Sequence, residues 1–176
     1  MKKFALFILA LFFAVSVFAQ VDSNYHFSVK SGVIVWQKVF NESTTPDALY
    51  RDLRNKGVFF DLQEEEESVT GRIVKVEPNY QGAGYKNLGI ALYIRDQKCS
   101  CYFNVEIKGD RYRVTARNFI FTPKYDNPLQ RMGEENEIEV YALKNEELKK
   151  GFFNGPAQTL DKTLTDLFTL SDNDNW

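Results

Sequence analysis

From residue 32 onward the spacing of hydrophobic positions changes several times along the chain, and each change marks an element. "GVIVWQKVF" (32–40) is dense in β-branched and aromatic residues and predicts a strand. "TTPDALYRDLRNKG" then shifts to helical spacing. Thr45 can cap, Pro46 suits the first turn, Asp47 complements the positive end of the helix dipole, Leu49 and Leu53 share a face, and Gly57 can terminate it. A helix over 46–56 is predicted.

The period then returns to two in "VFFDLQ" (58–63), "SVTGRIVKVE" (68–77), "LGIALYIR" (88–95), "CSCYFNVEIK" (99–108) and "RYRVTARNFIFT" (111–122). Gly109 and Asp110 form a two-residue hairpin signal between the last two, and the short links predict an antiparallel meander. Past Pro123 the pattern loosens, with a further strand predicted at "EIEVYAL" (137–143) and a helix at "NEELKKG". "GPAQTLDKTLTDLFTL" places Leu160, Leu164, Leu167 and Phe168 on one helical stripe. The expected fold class is α+β. One domain over 32–170 carries an antiparallel meander sheet, a helix after the first strand, and C-terminal helices packed on one face. Residues 20–31 read as a flexible lead-in and 171–176 as a tail.

Strand alternation also divides the sheet into two faces. In "CSCYFNVEIK" the apolar side carries Cys99, Cys101, Phe103, Val105 and Ile107, so Ser100, Tyr102, Asn104 and Glu106 point the other way. "RYRVTAR" sets Tyr112, Val114 and Ala116 inside, with Arg113, Thr115 and Arg117 outside. As a strand, "LGIALYIR" would send Tyr93 and Arg95 outward, and the first strand could add Trp36 and Lys38. The candidate binding set is therefore Trp36, Tyr93, Arg95, Tyr102, Arg113 and Arg117, of residue types enriched at recognition surfaces. The same alternation also describes an ordinary half-wet sheet face.

The first residues, "MKKFALFILALFFAVSVFAQ", change the picture of where this domain operates. Lys2 and Lys3 precede a nearly unbroken apolar run from Phe4 to Phe18, and Val17 and Ala19 occupy the small-residue positions of a signal-peptidase site. Cleavage after Ala19 is expected. A membrane anchor would need about 20 apolar residues, more than precede Gln20 and Asp22. The leader holds two of the 22 Lys and Arg and none of the 24 Asp and Glu, so its removal leaves 20 basic against 24 acidic residues. That acidic balance argues against general nucleic-acid binding. An exported chain with no membrane span after cleavage, periplasmic or secreted, is the expectation.

Few chemistries find their residues here. His26 is the only histidine and lies in the lead-in, which removes His-based triads and His-rich metal sites. Cys99 and Cys101 are the only cysteines. A disulfide between residues i and i+2 of a strand is at the geometric limit, and a zinc site needs four ligands, so buried core thiols are predicted. The "EEEE" run at 64–67 fits a solvated hairpin end better than a wrapped cation site. "SDNDN" (171–175) lacks the glycine and closing glutamate of a calcium loop. In "PNYQGAGYKN" (78–87), the glycines run from strand to predicted strand and no Lys-Ser or Lys-Thr follows, so a phosphate cradle fails on context. Gly82 and Gly84 read as turn residues, with Tyr80 and Tyr85 folding onto the sheet or touching a ligand. No catalytic residue, metal or cofactor is predicted.

Taken together, the leader, "VIVWQKVF", the capped helix "TTPDALYRDL", Gly71 after the acidic run, the loop "GAGY" and the downstream "KYD" (124–126) carry a resemblance over roughly residues 30–125. The chain resembles exported bacterial proteins with a domain of unknown function whose fold is like that of the TATA-binding protein. The resemblance implies that fold, with a β-α-meander-α order, and brings no catalytic residues. The fold name carries no implication of DNA binding. The expected function is an exported non-enzymatic binding domain that uses its open sheet face on a protein, peptide or glycan of the envelope. The alternative is a small envelope hydrolase with a carboxylate pair at no identified position.

Overall fold

The computed structural model describes residues 25–126 and 131–171. The leader (1–19), the start of the lead-in and all but the first residue of the tail lie outside them. Strands β1 (Phe27–Lys30) and β2 (Val33–Phe40) form a hairpin through Ser31 and Gly32, whose positive φ values of 51° and 78° suit a tight two-residue turn. Helix α1 (Pro46–Asn55) follows as predicted. The Thr45 hydroxyl accepts from the Ala48 N–H at 3.2 Å, and Leu49 and Leu53 are fully buried.

This helix carries the chain across to the far edge of the sheet. There the meander begins, with β3 (Phe59–Glu64), β4 (Ser68–Val76), β5 (Gln97–Lys108) and β6 (Arg111–Pro123). The strand order is β1-β2-β6-β5-β4-β3, antiparallel throughout, with the short β7 (Asn136–Glu137) added on β6. The fold class is α+β, as read from the sequence.

The C-terminal helix α5 (Pro156–Phe168) lies on one face of this sheet and buries Leu160, Leu164 and Phe168. Phe168 anchors the contact. Its ring stacks on Trp36 at 6.3 Å and meets Phe59 and Phe103 edge-on at 5.3 and 5.1 Å. Its carbonyl accepts from the buried Tyr112 hydroxyl at 2.7 Å.

Three strands carry one extra residue where the pairing register slips: Asp61 in β3, Lys75 in β4 and Asn118 in β6, with φ of 51°, 53° and 55°. Such bulges bend and twist a strand locally. Gly71 lies opposite the first. A Cβ there would sit 2.9 Å from both Leu62 Cδ2 and Phe103 Cζ, so the bulged strand can close over the core only above a residue without a side chain.

Four predicted elements differ. The segment 88–95 is no strand: it is a loop ending in the short helix α2 (Leu92–Arg95). Of its four alternating apolar residues only Ile90 and Ile94 are buried, a spacing of four, while Leu88 and Leu92 are 99% and 57% exposed. The segment 137–143 likewise forms helix α3 (Ile138–Ala142), with Ile138 and Ala142 inside. "NEELKKG" makes a hairpin of β8 (Leu143–Lys144) and β9 (Glu147–Leu148) through Asn145 and Glu146, both at positive φ, before helix α4 (Lys150–Phe153). The lead-in contains β1, where Phe27 is buried on the core side.

Candidate functional site

All the large helices cover one side of the sheet, so among the described residues the other side is open, and its side chains fall into rows that follow the strand register. The first row runs Phe60, Arg72, Tyr102, Arg117, Val35, each residue directly opposite the next on the neighbouring strand. The second runs Gln63, Thr70, Asn104, Thr115, Gln37. The third runs Ser68, Glu106, Arg113, Val39. Registered partners share a face of the sheet, so these rows form one continuous surface.

Their electrostatics differ from row to row. Arg113 is held by Glu106, with guanidinium nitrogens 2.8 to 3.1 Å from both carboxylate oxygens. Arg72 donates Nε–H to Asp61 Oδ2 at 2.6 Å, and its guanidinium lies 5.9 Å from the centre of the Tyr102 ring. The hydrogen bond to Asp61 raises the arginine's pKa further. Tyr102 is half exposed. On its other flank the Arg117 guanidinium makes no hydrogen bond or ion pair with any described residue. In the second row Gln37 Nε2 donates to Thr115 Oγ1 at 2.9 Å, whereas Asn104 Oδ1 is buried without a partner among the described residues. Two shallow troughs flank this row: one of about 530 Å³ at Tyr102 and Arg117, the other of about 740 Å³ at Glu106 and Arg113.

Tyr102, Arg113 and Arg117 of the predicted set therefore do share the open face. The other three do not. Trp36 points into the core, fully buried, because β2 sends Ile34, Trp36 and Phe40 toward the helices and Val35, Gln37 and Val39 outward. Lys38 shares the Trp36 side, where its Nζ donates to Thr165 Oγ1 at 2.8 Å. The run "VIVW" is apolar at consecutive positions and gives no alternation from which to read that phase. Tyr93 is stacked on Tyr141 at 4.4 Å and meets Phe121 edge-on, and burial raises its phenol pKa well above the ordinary value. Arg95 is closed onto Asp96 by two hydrogen bonds of 2.7 Å and donates to the Asn87 carbonyl at 3.2 Å. Both sit on the helix that replaces the predicted strand. Arg72 was missed, although "VTGRI" alternates clearly: Val69, Gly71 and Ile73 are buried, and Thr70 and Arg72 are not.

The remaining sequence candidates resolve as structural groups. The glycine loop folds back on α5: Tyr85 donates to Gln158 Oε1 and Tyr80 to Asn87 Oδ1, both at 2.8 Å, while Asn79 Oδ1 accepts from the Gly82 N–H. Cys99 and Cys101 are free and buried, and burial pushes the Cys99 thiol up to about 12 and the Cys101 thiol well above its ordinary value. His26 donates Nδ1–H to Asp161 Oδ1 at 2.7 Å, beside the bond from Trp36 Nε1 to the same oxygen. The carboxyls with displaced pKa values move downward. Lys124 lowers Glu77 and Arg95 lowers Asp96; at Asp52 burial acts upward but is outweighed by Lys56 and Ser171. A general acid needs the opposite shift. No group of three or more His, Cys, Asp or Glu among the described residues could hold a metal ion. No described helix is long and apolar enough to cross a membrane.

Comparison with known proteins speaks to the fold. No family model matches the chain, and no curated protein matches it. Among solved structures, it is similar to a TBP-like protein from Parabacteroides distasonis, at 12% identity and a TM-score of 0.52, over 84% of this chain and 98% of the other. It also aligns with a DUF4468 family protein from Bacteroides ovatus, at 16% identity and a TM-score of 0.47, over 89% of this chain and all of the other. The fold is TBP-like, as the sequence motifs implied.

Proposed function

We propose that this chain is an exported, non-enzymatic binding domain whose recognition surface is the open face of the sheet, centred on Tyr102 and Arg117. The observation that carries this reading is the division of labour between the two faces. The core side is closed by α5 around Trp36 and Phe168, whereas the open side presents a half-exposed tyrosine flanked by two arginines, one of them unpaired among the described residues. Aromatic and arginine side chains in such a setting are the usual anchors of recognition. The leader motif supports export to the envelope. The alternative hydrolase draws no support from the displaced carboxyls, which all move away from the range of a general acid.

The test is the pair Arg113→Ser and Arg117→Ser in one chain, passed over an immobilised total envelope extract of the native host. The double variant should keep the unfolding midpoint of the parent, because exposed substitutions usually cost within about 0.5 kcal/mol, and should lose retention on the extract. Unchanged retention would contradict the proposal.

A further inference from the structure

The rows on the open face specify a ligand chemistry more narrowly than the binding reading on which this inference rests. The middle row contains five uncharged hydrogen-bonding side chains, Gln63, Thr70, Asn104, Thr115 and Gln37, one from each of five adjacent strands. At roughly 4.8 Å between strands it extends for about 19 Å across the sheet. Each amide or hydroxyl in it can both donate and accept; one bond, from Gln37 Nε2 to Thr115 Oγ1, lies within the row, and the buried Asn104 Oδ1 is turned away from a ligand, which leaves the other groups of the row to meet one. A ligand with a repeating set of groups that also donate and accept matches such a row. Polyhydroxylated rings have that property.

The adjoining row adds two requirements. The Tyr102 ring is half exposed and lies directly opposite Arg72 and Arg117, which suits the flat apolar face of a ring stacked upon it. Of the two guanidiniums, Arg72 already has Asp61 as its counter-ion, so one positive charge, that of Arg117, remains to be matched beside the ring. A planar guanidinium matches a carboxylate with two parallel hydrogen bonds. A peptide partner fits less well. A β-strand added at a free edge, β1 or β3, would not use the rows of this face, and a chain lying across the face needs apolar pockets for its side chains, whereas both troughs border polar or charged rows.

We infer that the open face binds a carboxylate-bearing saccharide chain, with a sugar ring stacked on Tyr102, its carboxylate on Arg117, and the hydroxyls of neighbouring units along the Gln63–Gln37 row.

Calorimetric titration of the purified chain with three probes tests this: a galacturonate hexamer, the same hexamer with its carboxylates methyl-esterified, and hexaglutamate. The free-acid saccharide should bind at least about tenfold more tightly than either of the others, since a hydrogen-bonded charge is worth that much or more. Arg117→Ser and Tyr102→Ala should each weaken it by about the same factor with the circular dichroism unchanged. Tyr102→Thr, which keeps strand propensity, serves should the alanine variant unfold. Absence of galacturonate binding overturns the inference, as does hexaglutamate binding of equal strength. If hexaglutamate binds and Arg117→Ser abolishes it, the open-face reading stands while the saccharide inference falls. If galacturonate binds but neither substitution weakens it, both fall.

Discussion

Trp36 Nε1 donates to Asp161 Oδ1 at 2.8 Å, which ties the centre of β2 to the middle of α5 at the margin of the core. His26 Nδ1 reaches the same oxygen at 2.7 Å, so one carboxylate secures the helix, the sheet and the turn before β1. Replacing Asp161 with Ala leaves the buried indole N–H without an acceptor and should cost on the order of 1–3 kcal/mol. Asp161→Asn keeps an accepting oxygen and should cost less. Urea unfolding followed by fluorescence checks both, and an alanine variant as stable as the parent would contradict the assignment.

Gly71 offers a second test, because its role follows from a bulge and not from a turn. A methyl group there meets Leu62 and Phe103 at 2.9 Å, so Gly71→Ala should destabilise the fold by about 1–3 kcal/mol, the usual effect of overpacking. Gly151→Ala, where a Cβ finds nothing within 4 Å, is the control and should be near neutral. Equal unfolding midpoints for the two variants would refute the argument.

The thiols should be silent in the folded protein. Cys99 and Cys101 are buried, and a thiol with a pKa pushed up to about 12 offers almost no thiolate at neutral pH. Labelling with a maleimide should be slow natively and fast in guanidinium, with both sulfurs reacting. A native mass two hydrogens below the reduced value would mean a disulfide instead.

Export is tested at the other end of the chain. Protein recovered from the native host should begin at Gln20, by N-terminal sequencing or intact mass. Met1 retained in a membrane fraction would overturn the reading of the leader.

Much of this architecture is legible in the sequence for identifiable reasons. Helix α1 announces itself through Thr45, Pro46 and Gly57, and β5 and β6 alternate so regularly that Tyr102, Arg113 and Arg117 are placed on their face without coordinates. The failures share a cause as well. In 88–95 and 137–143, apolar residues alternate while only every fourth one is buried, so period two and helical spacing coincide over so short a length. A continuous apolar run has no phase and leaves Trp36 free to face outward in the sequence, whereas the phase is set by the partner strand: Trp36 lies opposite Phe27 and Ala116, both in the core. The pairing of Tyr102 with Arg117 follows from the two-residue turn at Gly109 and Asp110, whereas that of Arg72 with Tyr102 depends on the long 77–96 connection and the bulge at Lys75, which no local pattern reveals.

The central claim is that the face carrying Tyr102 recognises a ligand, and tyrosine footprinting tests it most directly. Tyr102 is half exposed while Tyr112 is buried, so a radical or nitrating reagent should modify Tyr102 quickly and Tyr112 slowly in the free protein. With the galacturonate hexamer or a total envelope extract added, modification of Tyr102 should fall severalfold while that of the exposed Tyr125 stays constant. Unchanged modification of Tyr102 under both additions, or protection confined to Tyr125, would contradict the account.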